Sequence, residues 1–294
     1  MARQTWPGWC AVCEKSVVFR SYGPWHRDQL VCTGCRSIPR QRAIIAVLSM
    51  VRPGWRNERI WELAPAGPAS RKLRRECPTY VGSQYWPDLP PGTVVRGYRS
   101  EDVERPTFDD GAFDVIVSSD VFEHVIDVDA AHAQIARVLA DRGTHIWTAP
   151  QHRDIQVSRP RVERAEGDLE DLEPAEYHGD PVSRAGALVT FDWGGDLPER
   201  VEAASGMWTT TIRVESRAHG LLGEFLEVFV SRRGAPDSGV HDARNMIGAS
   251  AIDREPRPRR ATFPAVTPWR SWWVTERLRE IRATIRQWRG RPRR

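Results

Sequence analysis

Apolar residues along the chain fall into short runs with two different rhythms. Gln41–Val51 places Ile44, Ile45, Val47 and Leu48 on one face, the spacing of a helix. Ser70–Glu76 reads as a helix with a basic face, and Asp129–Ala140 as another, with Ala133, Ile135, Ala136 and Leu139 on its apolar side. Between these lie runs too short for helices: Arg59–Ala64, Thr79–Gly82, Val94–Arg96, Phe113–Ser119 and Thr144–Thr148. The clearest is FDVIVSS at Phe113–Ser119, a nearly continuous apolar stretch of the kind a parallel strand shows when both its faces are covered. Strand, helix, strand, helix at this spacing predicts an α/β fold with a doubly wound parallel sheet.

The rhythm breaks over residues 151–208, which are charged and read as an insertion of loops above the sheet. Thr209–Glu215 and Glu224–Arg232 then predict an antiparallel hairpin at the sheet edge. Residues 234–268 are rich in Gly, Pro, Asp and Arg and read as a linker. Trp269–Arg289 predicts a closing helix with Val274, Leu278, Ile281, Ile285 and Trp288 in one apolar stripe and arginines around the rest. Three parts follow: a cysteine module at 1–40, the sheet domain at 41–233, and a linker with a basic amphipathic helix at 234–294.

Composition sharpens two points. The formal net charge of +4 over 294 residues hides a split, with +9 carried by residues 253–294 and −5 by the rest. The mildly acidic body argues against a nucleic-acid enzyme, and the basic, Trp-flanked helix is a candidate for an anionic membrane surface, a protein partner or its own domain. The most apolar run, AIIAVLSMV at Ala43–Val51, is too short to span a membrane. The N-terminal MARQTWPGWC lacks the apolar core of a signal peptide, so a cytoplasmic location is expected, with the tail as a route to the inner membrane face.

The sharpest chemical signal is the spacing of four cysteines. Cys10 and Cys13 form one C-x2-C pair, and Cys32 and Cys35 another, eighteen residues on. Two thiolates on each of two tight turns can close a tetrahedron around one zinc ion, and a closed four-thiolate site is structural. Two disulfides are the alternative and would need an oxidising compartment. Cys77 has no partner nearby in the sequence.

CRSIPRQR, WELAPAGPAS, YVGSQYWPD, GYRSEDVE, TFDDGAFDVIVSSDVFEHV, ARVLADRGTHIWTAP, YHGDP and GALVTFDWGGDL together resemble the class I S-adenosylmethionine-dependent methyltransferases. The likeness is to the bacterial, type-11-like branch that carries an N-terminal cysteine ribbon and sits among polysaccharide-modifying enzymes. It implies a Rossmann-like sheet with the cofactor over the strand ends. Glu62 ends the first strand, and the resemblance puts Ala64, Pro65 and Gly67 along the methionine end of the cofactor, with Ala64 where the family has a glycine. Ser83 and Gln84 stand where a ribose-binding acid is usual. Asp102 and Val103 would meet the adenine, and Asp120, Val121 and His124 would lie beside the sulfonium. A hydroxyl acceptor also needs a general base, for which His152 and the pair His178 and Asp180 are the candidates. On its own residues His124 reads first as a structural cap at the start of the following segment, and not as the base.

These readings favour methyl transfer to oxygen on a saccharide or glycan intermediate. A natural-product or other small-molecule acceptor fits the same core. A non-catalytic zinc-ribbon scaffold with a degenerate cofactor fold is the rival from outside enzymology.

Overall fold

The structure is a computed structural model and describes residues 4–165, 168–179 and 185–234. The amphipathic helix read at Trp269–Arg289 lies outside the described residues. These fall into two units, residues 4–176 with 188–234, and residues 177–179 with 185–187.

The first unit begins with a small antiparallel sheet of β1 (Thr5–Cys10), β2 (Lys15–Ser21) and β3 (Leu30–Cys32), in the order β1-β2-β3, with the one-turn helix α1 (His26–Gln29) leading into β3. The main body follows as α2 (Pro39–Val51), β4 (Ile60–Leu63), α3 (Gly67–Glu76), β5 (Val81–Gln84), β6 (Val94–Val95), β7 (Tyr98–Ser100), β8 (Phe113–Ser119), α4 (Val128–Val138) and β9 (Leu139–Thr148). Short strands occupy the next stretch: β10 (Arg159–Pro160), β11 (Val162–Ala165), β12 (Asp168–Asp171), β13 (Tyr177–His178), β14 (Ala187–Leu188) and β15 (Phe191–Asp192). The described chain closes with α5 (Leu197–Ser205), β16 (Trp208–Arg213) and β17 (Glu227–Arg232).

Eight strands form the central sheet in the order β16-β17-β9-β8-β4-β5-β7-β6. β9, β8, β4, β5 and β7 run parallel, and β17, β16 and β6 are antiparallel to their neighbours. The chain starts at β4, winds outward through β5 to β7, then crosses to β8 and β9 on the other side. Strand order therefore reverses between β4 and β8, the place where open α/β sheets bind ligands. The alternation of side chains along each strand splits the core in two. Ile60, Val115, Val117 and Ile146 pack under α2 and α3, whereas Trp61, Ile116 and Trp147 pack under α4 and α5.

The cysteine module shares the first of these cores. Trp6, Phe19 and Leu30 are buried with Ile44 and Leu48 of α2 and with Val228 and Val230 of β17. The connector from β16 to β17 lies against it. Gly220, at φ 63°, comes so close to Phe19 that a Cβ there would stand 2.7 Å from the ring, and a Cβ on Gly223, at φ 136°, would stand 2.6 Å from the Arg27 nitrogen. Buried Lys72 of α3 pairs with Glu14 of the module at 2.9 Å and with Glu76 at 2.8 Å, so the helix expected to show a basic face turns one of its cations inward.

Several expectations shift. The strand expected at Thr79–Gly82 begins at Val81, because Cys77–Tyr80 is spent on a turn closed by Tyr80 N–H on the Cys77 carbonyl at 3.2 Å. The strand expected at Val94–Arg96 is the antiparallel edge pair Val94–Val95, and the parallel strand is its neighbour β7. The helix expected to run to Ala140 stops at Val138, and β9 starts at Leu139 without a loop. The stretch expected to hold only loops contains α5, with Pro198 in its first turn, Leu197 and Val201 buried, and left-handed Gly206 ending it. Among the described residues no helix is long and apolar enough to cross a membrane.

Candidate functional site

The four cysteine sulfurs converge, all lying within 4.8 Å of one another. Cys10 Sγ is 3.7 Å from Cys35 Sγ, and Cys13 Sγ is 3.9 Å from Cys32 Sγ. Sulfurs held at about 2.3 Å from one tetrahedral ion would stand about 3.8 Å apart, so the donor set fits zinc. All five cysteines are free thiols, and the disulfide alternative is not what the structure shows. The four sulfurs cannot all carry charge without a cation between them: burial first, then the charge of Cys10, pushes the Cys13 thiol up to about 12.

A buried arginine backs this cluster. Arg42 donates from Nη2 to the carbonyls of Leu30 at 2.9 Å and Gly220 at 2.6 Å, and from Nη1 to Ser37. Ser37 Oγ in turn lies 3.4 Å from Cys10 Sγ and 3.2 Å from Cys35 Sγ. The guanidinium thus stands behind the thiolates and joins them to the β16–β17 connector.

At the carboxyl ends of β4 and β8 the chain turns through left-handed backbone at two non-glycine residues, Ala64 at φ 48° and Asp120 at φ 52°. Ala64 takes a left-handed conformation that a glycine would adopt without strain. Pro65 and Gly67 follow in the same loop, and Gln41 of α2 lies against Gly67. Glu62 is buried, and both of its oxygens are taken, by Ser70 Oγ at 2.7 Å and Tyr80 Oη at 2.6 Å. Burial outweighs these two donors and pushes the carboxyl up to about 7.

Ser83 at the end of β5 is buried and accepts from Trp61 Nε1 at 2.8 Å. Its hydroxyl already serves the core, which leaves half-buried Gln84 as the polar side chain open to a ligand there. Exposed Tyr85 follows it. Asp102, after β7, caps its own loop through Glu104 N–H at 2.9 Å and keeps Arg105 at 3.6 Å, and Val103 packs on the edge of the core.

Asp120 is not a free anion. Its Oδ2 accepts from Arg27 Nη2 at 2.7 Å and from Arg40, and its Oδ1 from Thr148 Oγ1 at 2.8 Å. Burial would raise the carboxyl, but the two guanidiniums win and hold it well below the usual carboxylate range. Asp28, 3.2 Å from Arg40 Nε and 3.8 Å from Arg27 Nη1, closes a ring of alternating charge. Both arginines come from the cysteine segment, one on α1 and one at the start of α2.

The turn after Asp120 carries Val121, at the edge of the core, and Glu123, which is buried. Burial first, then the charge of Asp120, raises the Glu123 carboxyl well above its ordinary value, and its Oε2 has no hydrogen-bond partner among the described residues. His124 ties the turn to the insertion, its Nδ1 standing 2.8 Å from the Leu188 carbonyl. His152, beyond the end of β9, is half-buried with its ring edge-on to Phe225 at 5.5 Å, and the Phe225 carbonyl accepts from Arg27 Nε at 3.2 Å. His178 stands half-buried in the second unit, and Asp180 lies outside the described residues.

Arg27, Arg40 and Glu123 escaped the sequence reading. The two arginines reach Asp120 across 93 and 80 residues of chain, a pairing no local pattern encodes. Glu123 sat within the recognised turn, three residues after the strand-end acid, and only its burial singles it out.

The fold is that of an open α/β protein whose strand order reverses between β4 and β8, where such sheets bind ligands. Residues 68–147, from α3 into β9, match a family model described as a methyltransferase domain. Solved structures similar to the chain include an S-adenosylmethionine-dependent methyltransferase from Mesorhizobium loti, at 17% identity over 65% of this chain and 98% of that one, with a TM-score of 0.43. CalS10, an amino pentose methyltransferase from Micromonospora echinaspora, is similar at 17% identity over 68% and 93%, with a TM-score of 0.43. The 1,6-didemethyltoxoflavin-N1-methyltransferase of Burkholderia thailandensis is similar at 16% over 67% and 79%, with a TM-score of 0.41. No curated protein sequence matches the chain.

Proposed function

We propose that the chain is an S-adenosylmethionine-dependent methyltransferase that acts on a hydroxyl of a saccharide or glycan intermediate and carries one structural zinc ion. The observation that carries the methyltransferase reading is the methyltransferase-domain match over residues 68–147, laid on a sheet whose switch point falls between β4 and β8. The acceptor class rests on the resemblance of the motifs alone. The strand-end residues fit a nucleoside-bearing ligand: Gln84 and Asp102 offer oxygens for hydroxyl and amino groups, and Tyr85 offers an exposed ring face. Ala64, Pro65 and Gly67 would border the methionine end.

When bound, the sulfonium supplies an activated methyl group with its leaving group built in. The chain's own task is then to orient the acceptor, exclude water and receive the hydroxyl proton. His152 is the base candidate within the first unit, and His178 with Asp180 the candidate outside it. The four thiolates would hold zinc, whose binding energy is folding energy for a module with few core residues of its own.

Titration calorimetry of the zinc-loaded, full-length chain with S-adenosylhomocysteine tests the reading. One-to-one binding is expected, and no heat would overturn it. A second reading, a non-catalytic scaffold, is favoured by one observation: the acids at both strand ends, Glu62 and Asp120, are engaged by protein groups. The same titration separates the two, because a scaffold gives no heat. The tail is proposed as a contact to an anionic membrane surface or a protein partner. Sedimentation of the full chain with anionic vesicles, compared with a chain cut after Pro268, tests that part.

A further inference from the structure

We infer that Arg27 and Arg40 of the cysteine module are positioning residues of the methyl-transfer end, cancelling the charge of Asp120 so that the site does not favour a cationic sulfur over a neutral one. This rests on the cofactor reading above and goes beyond it, because it makes the cysteine module part of the active site.

The geometry begins at the carboxyl end of β8. Asp120 directly follows β8, one of the two strands at the switch point, and a free carboxylate there would favour a sulfonium. It is not free. Two guanidiniums and the Thr148 hydroxyl occupy its oxygens, and both arginines are held in turn. Arg27 is buried, with Nε on the Phe225 carbonyl and its own backbone against Gly223. Arg40 is also held by Asp28. Arg27 lies five residues before Cys32 and Arg40 five after Cys35, so the segment bearing one cysteine turn bears both cations.

The chemistry gives this arrangement a purpose. When a methyl group passes to an acceptor oxygen, the S–CH3 bond breaks with its electron pair staying on sulfur, an O–CH3 bond forms, and the hydroxyl proton leaves to a base. The sulfur loses its positive charge along the way. A carboxylate that stabilises the cation stabilises the starting state more than the transition state, and so raises the barrier. Two fixed guanidiniums on that carboxylate remove the preference while keeping it as an anchor for the turn that carries Glu123.

The test compares the dissociation constants of S-adenosylmethionine and S-adenosylhomocysteine, which differ in the charge on sulfur. Wild type is expected to bind both with similar affinity. Arg27→Gln should shift the ratio toward the cationic ligand by about fivefold, and Asp120→Asn should shift it the other way by a similar factor. Arg27→Lys should keep the wild-type ratio, since it keeps the charge. A variant that only loosens the fold weakens both ligands together and leaves the ratio alone. If Arg27→Gln does not fold, Arg40→Gln, at a part-exposed side chain, gives the same readout. Ratios unchanged within twofold in Arg27→Gln and Asp120→Asn would overturn the inference while the cofactor reading stands. Failure of wild type to bind either ligand would overturn the cofactor reading itself, and the inference with it.

Discussion

Replacing Glu62 with Gln should make the chain's stability less sensitive to pH, by an amount its surroundings set. The carboxyl is buried at the end of β4, and burial outweighs the Ser70 and Tyr80 hydroxyls to push it up to about 7. In the unfolded chain the same group releases its proton near the ordinary glutamate value of about 4.3. Between those two values the folded wild type holds a proton that the unfolded chain has lost, so its stability falls as pH rises through this window. At about 1.4 kcal/mol per unit, the loss comes to about 3 kcal/mol by pH 8. Glu62→Gln has no such proton. Below pH 4.5 the variant should be weaker by about 1 kcal/mol, because its amide NH2 brings two donors to a buried place where the protonated carboxyl brings one. The difference should then reverse, leaving the variant ahead above neutrality. Urea unfolding of both proteins from pH 4.5 to pH 8 measures it, and every other titrating group cancels in the comparison. A difference that stays flat within about 1 kcal/mol would mean that Glu62 ionises as it does in water and that the strand end is wetter than its burial states.

Other outcomes follow from the same geometry. Cys32→Ser should abolish stoichiometric zinc, read by metal analysis, and lower the melting temperature, because the sulfur is buried in the shared core. Asp120→Asn should cost about 3 kcal/mol, the low end for breaking a buried ion pair, since Arg40 is part-exposed and keeps Asp28. A double-mutant cycle with Arg27→Gln should return a coupling above about 1 kcal/mol, and additive losses would count against the ring of charge. Asp102→Ala should weaken S-adenosylhomocysteine binding by about 1–3 kcal/mol in calorimetry, and unchanged affinity would place the nucleoside elsewhere.

The parts of the fold that follow local rules could be read from the chain. FDVIVSS is β8 to the residue, and the alternation in Gln41–Val51 marks α2 to within two residues. The cysteine spacing foretold four sulfurs meeting at one point. What stayed hidden depends on distance along the chain. The core partner of Ser83 was hidden because nothing nearby shows that Trp61, 22 residues earlier, donates to its hydroxyl. The two arginines on Asp120 stayed hidden because they lie in a module that pattern reading treated as separate. Glycines 220 and 223 lie between the two strands of the expected hairpin, and they are where the edge connector meets Phe19 and Arg27. α5 was lost because Pro198 and the surrounding charges mask a stripe of two buried residues, Leu197 and Val201.

A crystal structure of the zinc-loaded chain grown with S-adenosylhomocysteine tests the central claim most directly. Density for the ligand is expected over the carboxyl ends of β4, β5 and β7, with the methionine end along Ala64–Gly67, the nucleoside at Gln84 and Asp102, and the sulfur toward Asp120. Clear density for the protein with the strand ends filled only by water at saturating ligand, or with the ligand bound away from the switch point, would contradict the account.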